Sequence, residues 1–166
     1  TYGEEKFAWP IAKAIVRTRA NQPMQISGQL VEIIRDTIPA PARRSGGNPA
    51  KRTFQALRVA VNDELGDVQR FLTKALSWVR VGGRIVIESY QSLEDRLVKQ
   101  AFAAGIHPAV PKGLPVLPEQ AQPWLRDLTR GSCLADESEV AKNPRAASLR
   151  LRAVEKTREP DPENLS

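Results

Sequence analysis

Apolar residues in this chain first recur at helical spacing and only later alternate, so helices are expected first and strands later. Phe7, Ile11, Ala14 and Ile15 share one side of a helix, with Lys6, Lys13, Arg17 and Arg19 on its other faces. A second helix is expected to start at Ser27 as N-cap, with Leu30, Ile33 and Ile34 as its apolar side and Pro39 just past its end. The stretch 39–49, which contains Pro, Arg, Ser, Gly and Asn, reads as a mobile basic loop. A long helical region follows over about 50–79, where Phe54, Leu57, Val61, Leu65, Val68, Leu72 and Leu76 keep a three-to-four spacing. Gly66 costs about 1 kcal/mol against Ala in its middle, so one helix or two with a bend fit equally well.

Gly82-Gly83 ends that pattern, and the β-branched run Arg84–Glu88 reads as a buried strand. Ser92 is expected to cap the next helix. Its first turn holds Glu94 and Asp95, its apolar side is Leu93, Leu97, Val98, Ala101 and Phe102, and Gly105 stops it. Five prolines between residues 107 and 123 mark a linker or insert without regular structure. Beyond it are expected a short strand within 125–134, a polar helix over 136–142 and an edge strand over 148–155 that alternates Leu149, Leu151 and Ala153 with Arg150 and Arg152. The tail 159–166 reads as disordered. The element order makes this an α/β chain with an all-helical piece in front.

Composition narrows the chemistry. The 166 residues include 25 Lys plus Arg against 19 Asp plus Glu, giving a formal charge of +6. No apolar run approaches the roughly 18 residues of a membrane span, so no membrane partner is expected. One Cys allows no internal disulfide, Cys133 and His107 alone cannot build a metal site, and a reducing, cytoplasmic setting is expected. The chain opens at Thr1-Tyr2-Gly3 without Met and reads as part of something longer.

The charge is not evenly spread. Arg43, Arg44, Lys51, Arg52 and Arg58 lie in an interval, Asp36 to Asp63, that contains no other acidic residue. Locally unopposed cations are what phosphate neutralisation requires, although a solvated helix face has the same look. Trp9 and Phe54 are candidates for base stacking, with core packing the simpler account of Phe54. Glu88, Ser89, Tyr90 and Gln91 fall at the carboxyl end of the expected strand, where open α/β sheets bind ligands. Arg145, in Asn143-Pro144-Arg145, either holds phosphate or, with Arg150 and Arg152, guards a strand edge. A Gly-x-Gly-x-x-Gly loop, a Walker loop and a nucleophile elbow are missing from the sequence.

Five segments in order resemble one family: Tyr2-Gly3-Glu4-Glu5-Lys6-Phe7, Ile11–Val16, the long run from Asn48-Pro49-Ala50-Lys51-Arg52 to Leu65, Ser92-Leu93-Glu94-Asp95-Arg96-Leu97-Val98-Lys99, and Asn143-Pro144-Arg145. The family is the MraW-type methyltransferases, which modify N4 of a cytosine in small-subunit ribosomal RNA using S-adenosylmethionine. The resemblance covers residues 2 to about 156. It implies the C-terminal half of a Rossmann-like class I methyltransferase sheet over 46–158, carrying the proline-rich insert, and most of a helical RNA-recognition insertion over 1–45. It implies small-subunit ribosomal RNA as partner and S-adenosylmethionine as cofactor, with the main cofactor motifs upstream of Tyr2 and the fragment inactive alone. A homodimer is allowed. Lys51, Arg52 and Arg58, with Arg43, Arg44 and Arg145, are the expected RNA contacts, and Asn62, Ser89, Tyr90 and Gln91 the expected pocket lining. No catalytic residue is assigned. Two positions depart from the family: Tyr90-Gln91 stands where Phe-His is frequent, which removes a histidine base there, and Asn48 stands where His is common. The alternative reading is a non-catalytic basic RNA-binding module.

Overall fold

In the computed structural model the described residues are 2–44, 47–107 and 122–160, with Arg44 described in its backbone alone. The chain divides into two compact units, Thr1–Glu64 and Leu65–Ser166. The expected insertion boundary at 45 thus lies inside the first unit.

The first unit is helical: α1 (Ala8–Asn21), α2 (Ser27–Thr37), α3 (Ala40–Arg44) and α4 (Lys51–Val61). Ile11, Ile34, Ile38 and Ala50 form its core, with Phe7, Ile15, Leu30 and Phe54 packed around them. The amphipathic readings of α1 and α2 hold. The cap of α2 differs from expectation: Ile26 occupies the N-cap position, and the Gln29 side chain reaches back to accept from the backbone N–H of Gln25 (2.8 Å) and Ile26 (3.3 Å). A glutamine at N3 thus satisfies two donors ahead of the helix, while no N-cap side chain serves its first turn. The expected loop 39–49 contains α3, opened by the backbone N–H of Ala42 donating to the Pro39 carbonyl at 3.0 Å. Pro41 sits in the first turn, where a missing N–H costs nothing. Gly3 meets α4 closely: an added Cβ would run into the Arg52 carbonyl and the Ala56 methyl.

The helical stretch 50–79 is two helices, and the break is not at Gly66. Asp63 adopts φ +51°, a left-handed conformation that ends α4 after Asn62 and lets α5 (Glu64–Trp78) begin. Gly66 lies inside α5. Leu57 and Val61 of the expected stripe are exposed, and Val59 is the buried residue of α4.

The second unit holds α5, β1 (Arg84–Ser89), α6 (Ser92–Ile106), β2 (Leu125–Asp127), α7 (Glu137–Lys142), a 3-10 turn over Pro144–Ser148 and β3 (Arg150–Lys156). The sheet order is β1-β3-β2, with β3 antiparallel to both neighbours. β3 is therefore the central strand and not an edge, contrary to the alternation reading. Its register sets Val154 opposite both Ile85 and Asp127, and Lys156 opposite Leu125. Because both outer strands oppose β3, β1 and β2 are parallel to each other and joined through α6, a β-α-β crossover. The α/β expectation holds at this level.

One sheet face, with Ile85, Ile87, Leu125 and Val154, is covered by Leu72, Ala75 and Leu76 of α5 and Val98 and Phe102 of α6. The opposite face carries Arg84, Val86, Arg126 and Glu155. β1 is therefore half-buried rather than buried, since Val86 is 59% exposed. Glu155 lies between Arg84 (3.2 Å) and Arg126 (2.8 Å), an ion pair spread across three strands. Gly105 does not stop α6, which runs on to Ile106. It is buried, and an added Cβ would fall within 2.6 Å of Leu125 Cγ and 2.9 Å of the Trp124 ring. Gln91 rather than Ser92 occupies the N-cap position of α6, without a side-chain capping bond, while α7 matches its expectation, with the Asp136 carboxylate accepting from the Glu139 N–H at 2.8 Å. Residues 108–121, most of the proline-rich insert, and 161–166, most of the expected tail, lie outside the described residues. Among the described residues no helix is long and apolar enough to cross a membrane.

Candidate functional site

The basic segment is organised by the start of α4. The Asn48 side chain accepts from the Ala50 N–H at 2.9 Å, and its carbonyl accepts from the Lys51 N–H at 3.1 Å. That turn places Lys51 and Arg52, both exposed, in the first helical turn, which contains no acidic residue. Cations there oppose the helix macrodipole, since the positive end of the dipole favours anions. A local rule is broken without a compensating carboxylate: neither side chain makes an ion pair among the described residues. The arrangement suits an external anion, because the helix N-terminus and both cations attract the same charge.

The rest of the expected cluster is less uniform. Arg43 is half-buried and, with Arg35, Ala40 and Pro49, lines an open concavity of about 390 Å³. Arg35 lies just outside the acid-free interval, and its guanidinium is 3.6 Å from the Asp36 carboxylate with both side chains exposed. Arg44's side chain lies outside the described residues. Arg58 is not an unopposed cation. Its guanidinium grips Glu64 through Nε to Oε1 (2.8 Å) and NH2 to Oε2 (3.1 Å), which holds the Glu64 carboxyl below its ordinary value. Asn62 donates to the same carboxylate at 3.3 Å. Sequence distance hid this pair, since the acid-free interval ends just before it.

Of the two aromatic candidates, Phe54 packs into the first unit's core. Trp9 does the opposite: it is 72% exposed, with the Lys13 ammonium 5.2 Å from its ring centroid.

In the second unit, Ser89, Tyr90 and Gln91 do fall at the carboxyl end of β1, leading directly into α6. Ser89 is buried at 3% exposure and paired in register with Arg150, Tyr90 is exposed and Gln91 is half-buried. Asn62 belongs to the other unit. Arg145 is exposed on the 3-10 turn, which the Asn143 side chain caps by accepting from the Arg145 N–H at 3.2 Å. Arg152 does not guard an edge. Its guanidinium forks onto Asp95 of α6 at 2.7 and 2.9 Å and also donates to the Gly131 carbonyl, fastening helix, loop and central strand together. The Arg152 guanidinium holds the Asp95 carboxyl below its ordinary value near 3.8. Asp95 thus does more than the helix-start duty read for it.

Among the described residues the glycine-rich turn that cradles a nucleotide-like cofactor is missing. Gly82-Gly83 precedes β1 instead of following it, and no glycine-rich turn follows β1 or β2 at their carboxyl ends. Among the described residues no three His, Cys, Asp or Glu side chains converge as a metal site.

The sequence model described as the MraW methylase family matches residues 1–157. Proteins named ribosomal RNA small subunit methyltransferase H are similar to this chain. One from Nocardioides sp. is 58% identical over 94% of the chain and 49% of its own length. One from Beutenbergia cavernae is 58% identical over 95% and 47%, and one from Streptomyces avermitilis 56% identical over 95% and 50%. The chain spans about half the length of the curated relatives it matches. A match over nearly every residue, including the Asn48 turn and the cations behind it, settles the kinship: the chain belongs to the MraW methylase family.

Proposed function

We propose that the whole protein transfers a methyl group from S-adenosylmethionine to the exocyclic N4 amine of a cytosine in small-subunit ribosomal RNA. The observation that carries this is the family membership together with the names of relatives 56–58% identical to it. The structure supports it in two ways. The β1-α6-β2 crossover, with its reversed strand β3 in the middle, suits the far end of a Rossmann-like sheet. Among the described strands β1 has only β3 as a neighbour, so its other edge is free to accept the strands the C-terminal-half reading requires. At the start of α4, cations placed against the helix dipole suit a phosphate backbone.

In this reading the cofactor is held mainly by parts of the protein other than the described residues. The residues in hand bind and position RNA. Lys51 and Arg52 hold backbone phosphates, with Arg43 and Arg145 as further contacts and residues 1 to about 45 as most of the recognition insertion. Tyr90 and Gln91, leading from strand to helix, line the edge of the pocket for the target base, which has to be unstacked to be reached. Ser89, buried at the end of β1, precedes them in the same lining. Holding amine and methyl donor in line with water excluded supplies most of such a reaction's acceleration.

The test is transfer of radiolabelled methyl from S-adenosylmethionine by the intact protein to small subunits or their RNA, with the product nucleoside identified by mass. N4-methylcytidine is the expected product. Label on another base, or none with any small-subunit substrate, overturns the proposal.

A further inference from the structure

The face of α1 around Trp9 has no role in the core. Trp9 is 72% exposed and Val16, about two turns on, is exposed too, whereas Ile11 and Ala14 face inward. Lys13 lies over one side of the indole, 5.2 Å from its centroid, and Arg17 is exposed one turn further along. No acidic residue occurs between Glu5 and Glu32, an interval that contains Lys6, Lys13, Arg17 and Arg19. α1 therefore offers an exposed aromatic ring with Lys13 and Arg17 along the same side. A protein partner would be expected to cover the indole with apolar side chains. The charge argues instead for a polyanion, and the flat ring for one whose bases are unpaired. Stacking on an aromatic needs an open base face, which a duplex does not provide.

We propose that Trp9, with Lys13, is a stacking platform for an unpaired base of the RNA, and that Lys6 and Arg17 hold phosphates on either side. The inference rests on the ribosomal RNA reading above and adds to it a second contact, distinct from the start of α4 and selective for single strands.

The experiment uses the intact protein and two labelled probes, a single-stranded oligoribonucleotide of mixed sequence and the same sequence closed into a hairpin duplex. Trp9→Ala and Trp9→Leu are expected to lower single-strand affinity roughly five- to a hundred-fold, the loss typical of one base–aromatic stack. Trp9→Phe keeps a π-face and is expected to stay within about threefold of the parent, with duplex affinity changing less than about twofold in all three. Rescue by leucine would mean the ring packs against a protein segment, and equal losses on both probes would mean no stacking. Either result overturns the inference, as does unchanged single-strand affinity in the alanine and leucine variants. If the parent itself binds neither probe, the RNA reading fails first and takes this one with it.

Discussion

The two units treat their positive charge differently. Residues 65–166 carry fifteen basic against thirteen acidic residues. Several of those cations close ion pairs that join separate elements: Arg152 with Asp95, and Arg84 and Arg126 with Glu155. Residues 1–64 carry ten basic against six acidic, and Lys13, Arg17, Lys51 and Arg52 are exposed without ion pairs among the described residues. The same residue types thus do two jobs. In the second unit arginine binds one part of the fold to another. In the first, Arg58 grips Glu64, but Lys13, Arg17, Lys51 and Arg52 are left facing outward, the last two against a helix dipole, which favours folding less than it favours an external anion.

That contrast can be tested first where it costs most. Arg152→Ala leaves the half-buried Asp95 carboxylate without its partner, and about 3 kcal/mol of stability is expected to go, near the lower end for such a removal. Urea unfolding of the intact protein measures it. Arg58→Ala, at the exposed pair of the first unit, should leave the midpoint essentially where it was.

Next come Gly3 and Gly105, one from each unit, where an added side chain meets packed atoms. Gly3→Ala and Gly105→Ala should each cost about 1–3 kcal/mol by overpacking, more for Gly3, because its obstacle includes a backbone carbonyl. The same unfolding curves report it.

The pH dependence follows from Asp95. Its folded-state pKa is depressed, so the native state releases this proton more readily than the unfolded chain. Its contribution is complete above the ordinary carboxylate range. It disappears as pH falls past 3.8 toward the lower folded value. Stability measured from pH 6 down to about 2.5 should therefore drop less steeply in Arg152→Ala than in the parent.

Smallest in stability are Lys51→Ala and Arg52→Ala, expected within about 0.5 kcal/mol of the parent. Their effect should show in RNA binding alone.

Much of this was legible in the sequence where one element carries its own signal. The amphipathic stripes of α1, α2 and α6, the polar α7 and the β-branched β1 are local patterns, and local patterns survive into the fold. What was not legible depends on partners distant in sequence. Alternation of Leu149, Leu151, Arg150 and Arg152 looks the same in an edge strand as in a central one. Only pairing with β1 and β2 makes β3 central, and only a contact across 57 residues gives Arg152 its partner. The sequence leaves one helix or two open over 50–79, with Gly66 as its weakest helix former, whereas the break comes at Asp63, which takes the left-handed conformation. At the site, the cations of α4 were visible as an acid-free run. Arg58's capture by Glu64 and the exposure of Trp9 were not, since an apolar residue at helical spacing gives no sign of which way its helix turns.

The most direct test of the division of labour is the salt dependence of single-stranded RNA binding by the intact protein. Three proteins are compared: the parent, Lys51→Ala with Arg52→Ala, and Lys74→Ala with Lys142→Ala as an exposed control in the second unit. Removing two phosphate contacts should lower the slope of log K against log salt by about 1.4, near 0.7 per contact, and leave the control unchanged. Equal slopes for the first two proteins, or a control that falls as far as the α4 variant, would contradict the account.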